Sequence, residues 1–139
     1  MKTLLALLTA TIGLTCAQLS TAATDTAAAE GAETATVIVY RNDDSVRSRG
    51  IKFDVRAEQR NQGRIAAGEA IVIKREAGTF VLSSSLQGSP SLELNLKPGQ
   101  VHYVEYDLTV RNNRTDLELN EVGEQVAKVR NNEIAELTI

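Results

Sequence analysis

From residue 36 onward, apolar and polar positions alternate with a period of two, and Gly, Pro and Asn interrupt the pattern at short intervals. Ile51, Phe53, Val55 and Ala57 share one side of such a run, with Lys52, Asp54 and Arg56 on the other. That pattern predicts a strand buried on one face. Leu92, Leu94 and Leu96 against Glu93, Asn95 and Lys97 make the cleanest case. Residues 37–40 (Val-Ile-Val-Tyr) are apolar at every position, as in a central strand covered on both faces. Residues 70–73, 79–82 and 101–108, then Leu117, Leu119 and Val122, supply the remaining strands. Turns are expected at Arg60-Asn61-Gln62-Gly63, Glu76-Ala77-Gly78, Gln87-Gly88-Ser89-Pro90, Pro98-Gly99 and Arg111-Asn112-Asn113-Arg114. The expected fold is all-β, a single antiparallel β-sandwich of about seven short strands, transthyretin-like or immunoglobulin-like.

The end of the chain reads two ways. Val122, Val126 and Val129 recur at i, i+4, i+7, which suits a short helix over one end of the sandwich. Gly123 and Asn131-Asn132 equally bracket one more strand that closes with residues 134–137. Strand is preferred for residues 123–137, because β-branched valines disfavour helix and a sandwich has edges to cover.

Ahead of the alternating region stands a different kind of sequence. Lys2 precedes an uncharged apolar run over residues 4–14, and Ala17, Ala22 and Ala23 follow as candidate cleavage points. That order is a secretory signal peptide, with an apolar core too short to span a bilayer. A lipid anchor at Cys16 is the weaker reading, since Gly13, Leu14 and Thr15 fit the lipid-anchoring pattern poorly. Cleavage after Ala17, Ala22 or Ala23 removes Cys16, the one cysteine, and with it disulfide, thiolate and Cys-metal chemistry. Residues 24–35 are mostly Ala, Thr and acids and read as a flexible leader. The expected organisation is thus signal peptide 1–23, leader 24–35 and β-sandwich 36–139, in the periplasm or secreted, with no transmembrane segment.

Charge adds one feature. The formal net charge of −3 offers no general attraction to nucleic acid, and few aromatics interleave with the arginines. Within the chain, however, Arg41, Arg47, Arg49, Lys52, Arg56, Arg60 and Arg64 face only Asp43, Asp44, Asp54 and Glu58. From Glu105 onward acids outnumber bases. Opposing solvated faces of one small domain explain this most simply. The sharper account is a basic patch for an acidic envelope partner, or head-to-tail self-association. Arg47, Arg49 and Arg56 are the candidate binding residues. Tyr106 joins them as the aromatic expected to point outward if Tyr103 points inward, since the two are an odd number of positions apart.

Three segments together resemble a known family. They are Val37-Ile38-Val39-Tyr40-Arg41, then residues 75–82 (Arg-Glu-Ala-Gly-Thr-Phe-Val-Leu), then residues 92–104, which carry Lys97-Pro98-Gly99 ahead of His102-Tyr103. In this order they resemble a bacterial family of small secreted proteins and lipoproteins, a domain of unknown function with a transthyretin-like fold. The resemblance spans residues 36–122. Ala77 stands where that family usually has Pro, Phe80 where it often has His, and His102 where a tyrosine is common. The resemblance implies a fold and an envelope location, and no activity.

Candidate chemistry is thin. His102 is the single histidine, and a hydrolase would need it to meet a hydroxyl from Ser83, Ser84 or Ser85 and a carboxylate from Glu105 or Asp107. No Gly-x-Ser-x-Gly elbow is present, and a histidine packed on a sheet face beside Tyr103 is the simpler account. Calcium would need six to eight converging oxygens. Asn42-Asp43-Asp44-Ser45, Glu105/Asp107 and Asp116/Glu118 cluster too few, and Asx-rich turns and solvated strand faces explain them. Asn113-Arg114-Thr115 fits a glycosylation acceptor, though an Asn-rich turn suffices. No cofactor, metal or catalytic residue is therefore assigned. The expectation is a non-enzymatic envelope module acting through protein–protein contacts, with a glycan- or cation-binding domain as the alternative and a hydrolase behind both.

Overall fold

A computed structural model of the chain describes residues 33–42 and 46–137. The expected signal peptide, Cys16, nearly all of the leader and three members of the candidate calcium cluster (Asp43, Asp44 and Ser45) lie outside the described residues. Eight strands and two short helices follow in order: β1 Thr34–Arg41, β2 Phe53–Ala57, β3 Arg60–Ile65, β4 Ala70–Glu76, β5 Gly78–Ser84, β6 Leu92–Leu96, β7 Val101–Arg111 and β8 Arg114–Val122, then α1 Glu124–Arg130 and α2 Asn132–Glu136. The strands form two four-stranded sheets, A in the order β4-β1-β7-β8 and B in the order β3-β2-β5-β6.

The expected sandwich is there, with two amendments. Its strands number eight, and β1 and β7 run parallel, with Thr36 opposite Val101 and Tyr40 opposite Glu105. The other pairings are antiparallel. Strand β1 begins at Thr34, two residues ahead of the expected start, and Ala35 is buried.

The additional strand is β3, which occupies the position expected for a turn. The chain reverses earlier, at Glu58 and Gln59, both at positive φ (50° and 67°). Two successive left-handed residues suit the twist of a tight hairpin, but Glu-Gln carries no sequence signal for it. The Asn-Gln-Gly chemistry makes a bulge instead. Gln62 is the additional residue, since Arg56 pairs with Asn61 and Val55 with Gly63. The Gly63 N–H donates to Asn61 Oδ1 at 2.8 Å, and Gly63 takes a φ of +145°. The β7–β8 hairpin falls where expected, with Asn112 and Asn113 at φ 46° and 65°.

Between the sheets lie Val37 and Val39 of β1, Phe53 and Val55 of β2, Phe80 and Leu82 of β5, Leu94 and Leu96 of β6, and Val104, Tyr106 and Leu108 of β7. Phe53 and Tyr106 stack, with ring centroids 5.7 Å apart. Arg41 closes one end of this core. Its guanidinium lies 5.6 Å from the Phe53 ring centre and donates to the carbonyls of Ser48 and Ile51, which ties down the β1–β2 connection.

A second, smaller core lies outside sheet A. Ile38, Tyr40 and Tyr103 point away from the sandwich and pack beneath Ala127 of α1 and Ile134 of α2. This corrects the preference for a strand over residues 123–137. The helix is not the one that the valine spacing suggests, because Val126 and Val129 are 41% and 84% exposed while Ala127 is buried. Asn131 joins the two helices: its Oδ1 accepts the Ile134 N–H and its Nδ2 donates to the carbonyls of Arg41 and Gly68. One side chain thus caps α2 and anchors both helices to sheet A.

Candidate functional site

The helices cover the centre of the outer face of sheet A, over β1 and β7, and leave Val72, Lys74, Asp116 and Glu118 at its edges exposed. Glu105, 3% exposed, accepts from Arg130 Nη1 at 2.5 Å, and the Ala70 N–H donates to Glu133 Oε2 at 2.5 Å. Beside Glu105, the Tyr40 hydroxyl is buried and has no hydrogen-bond partner. Burial, and secondarily the Glu105 charge, push Tyr40 up to about 12. Tyr103 on the same face is also raised, by burial first and then by Glu124.

The open surfaces lie elsewhere. Among the described residues no helix lies over the outer face of sheet B, which presents Asp54, Arg56, Asn61, Arg64, Ser83, Glu93 and Asn95. The two sides of the sandwich carry opposite charge. On one side β3 lies against β4, joined by Arg75 Nη2 donating to Gln62 Oε1 at 3.1 Å. These two strands hold Arg60, Arg64, Lys74 and Arg75 against the single acid Glu76. On the other side β6 and β8 hold Glu93, Asp116, Glu118 and Glu121 against Arg114. Strand β8 is nine residues long, borders only β7 among the described residues, and exposes Asp116, Glu118, Asn120 and Glu121. Arg64 Nε reaches Asp54 Oδ1 at 3.1 Å, an exposed pair that leaves Arg56 and Lys74 to solvent.

A groove of about 670 Å³ lies where β8 leaves the sheet, between the start of β7 and α1. His102, Tyr103, Glu121, Glu124 and Lys128 are among its lining residues. His102 Nδ1 lies 2.6 Å from Glu121 Oε1, and its Nε2 is buried without a partner. Lys128 bonds Glu124 at 2.5 Å, and this contact raises the Lys128 pKa.

The structure does not gather the candidate binding residues into one site. Arg47 and Arg49 sit on the exposed turn over residues 46–50, and Arg56 projects from the outer face of sheet B. Tyr106 is not on the surface. It is fully buried between the sheets, where its hydroxyl donates to the Ser83 carbonyl at 3.0 Å and burial raises its pKa. Tyr103 and Tyr106 do take opposite faces, but the helices cover the Tyr103 side. Arg41 leaves the basic run altogether and lines the core.

The serines stand apart from His102. Ser84 Oγ donates to Ser89 Oγ and accepts the Leu86 N–H, and Ser85 Oγ accepts the Asp54 N–H. Glu105 is held by Arg130, and Asp107 is exposed. Among the described residues, no group of three or more His, Cys, Asp or Glu side chains is placed to hold a metal ion. Lys74 and Arg75 were not singled out in the sequence, since only the crossing from sheet B to sheet A lays them beside Arg60 and Arg64. No family model, curated protein or solved structure matches the chain.

Proposed function

We propose that this chain is a non-enzymatic binding module of the bacterial periplasm or cell exterior, working through protein–protein contacts along its open sheet edges. The observation that carries the reading is β8, a nine-residue strand that among the described residues pairs on one side only and carries a row of acids. Such an edge offers backbone groups to an incoming strand, while alternate side chains select its charge. The apolar run over residues 4–14 supports export, and the segments at residues 37–41, 75–82 and 92–104 support membership of the transthyretin-like secreted family. Affinity capture of the tagged protein from an envelope extract tests the reading. A specific protein should be recovered at low salt, released at high salt, and lost with Glu118→Lys. Retention by that variant but not by an Arg47→Ala, Arg49→Ala, Arg56→Ala variant would move the contact to the arginines.

A second reading, a small-ligand domain, draws on the groove at His102, whose Nε2 is buried and unpartnered. Its test is a thermal shift with soluble glycans or divalent cations that disappears in His102→Ala.

A further inference from the structure

The two charged sides of the sandwich belong to the same chain and are complementary. We propose that copies of this protein associate head to tail, the β3/β4 side of one copy docking on the β6/β8 side of the next. The inference rests on the edge-docking reading and names its partner: a second copy of this chain.

Strand directions fit such a translation in both layers. In sheet A, β4 and β8 are each antiparallel to the parallel pair β1 and β7, so β4 and β8 run the same way. In sheet B, β2 is antiparallel to β3 and β5, and β5 to β6, so β3 and β6 run in opposite directions. A translated copy therefore sets β8 parallel to the next β4, and β6 antiparallel to the next β3.

Side chains fit as well. Val72 and Lys74 lie on the outer face of sheet A and Ile71 and Ile73 on the inner, while β8 carries Asp116 and Glu118 outside and Leu117 and Leu119 inside. Joining the sheets continues the apolar layer from Leu117 and Leu119 to Ile71 and Ile73, and places Lys74 among the β8 acids. In the other layer, Arg64 of β3 and Glu93 of β6 both lie on the outer face of sheet B. The first residue of β4 is closed to pairing, because Glu133 holds the Ala70 N–H. New pairing is confined to Val72, Lys74 and Glu76. The contact is heterologous and does not close on itself, so it builds chains rather than dimers.

The test is sedimentation velocity of the full chain over a wide concentration range, at low and high salt. Average mass should rise with concentration and fall with salt. Arg64→Glu with Lys74→Glu makes both sides acidic; Glu93→Lys with Glu118→Lys makes both basic. All four residues are exposed, and circular dichroism should show each variant folded. Each variant alone should associate at least about tenfold more weakly, since like charges then face each other. An equimolar mixture of the two should associate again, as should the chain carrying all four substitutions. A protein that stays monomeric, or self-association untouched by the substitutions, would overturn the proposal. A monomer that still captures a foreign protein through Glu118 would leave the edge-docking reading standing and remove only the second copy.

Discussion

The two sheets are built alike and finished differently. Sheet A buries both faces at its centre, because β1 is apolar on both sides and the helices cover Ile38, Tyr40 and Tyr103. Sheet B buries one face and leaves Arg56, Arg64 and Glu93 in water. An outer face therefore acquires a cover where its own side chains are apolar, and stays open where they are polar, because burial of unpaired polar groups costs more than it returns.

The largest expected effect is at Ile38. Ile38→Ala should lower unfolding free energy by about 3 kcal/mol in urea denaturation, through lost burial and a cavity under the helices. Val81→Ala on the outer face of sheet B should cost below about 1 kcal/mol. Equal losses would mean that the helices do not hold the sheet A face. Asn131→Ala comes next, at about 2 kcal/mol by the same measurement, because one helix cap, one buried carbonyl and one half-buried carbonyl lose their partner together.

Tyr40→Phe should go the other way, raising stability by about 1 kcal/mol, because it removes a buried hydroxyl without a partner. It should also change the alkaline limb. The Tyr40 pKa is raised from its ordinary 10.0 to about 12, so its neutral form is favoured in the fold. The resulting stability is fully present below pH 10 and is lost as pH rises toward about 12. Denaturation midpoints across that window should fall less steeply for Tyr40→Phe than for the parent. The smallest effect belongs to the open face: Arg64→Ala should shift stability by less than about 0.5 kcal/mol, since its ion pair with Asp54 is exposed and screened by solvent.

Legibility in the sequence differed between the regions in the same way. The half-buried strands β2 and β6 follow from alternation, and the β7–β8 hairpin from two asparagines that tolerate positive φ. The Glu58-Gln59 turn was illegible, because neither residue favours the conformation that the hairpin imposes on it. The candidate site fared worst. Arg47, Arg49 and Arg56 stay apart, and Arg41 enters the core, since charge along a chain carries no information about which strands become neighbours. The charged sides arise because the chain crosses from β3 in one sheet to β4 in the other, and because β6 and β8 end their sheets at the far side.

Residues 123–137 mark the boundary between the two kinds of information. Valine spacing offered a helix and propensity a strand, yet Ala127, Ile134 and Asn131 seat the segment, and their partners come from β1, β7 and the turn before β4. Alternation along the chain dictates which residues share a face: Tyr103 and Tyr106 had to part, and residues 37–40 had to be covered on both sides. Which face is the interior, that β1 and β7 run parallel, and where the charges gather follow only from packing. Period-two alternation is symmetric between the faces of a strand, and only packing against other segments breaks that symmetry.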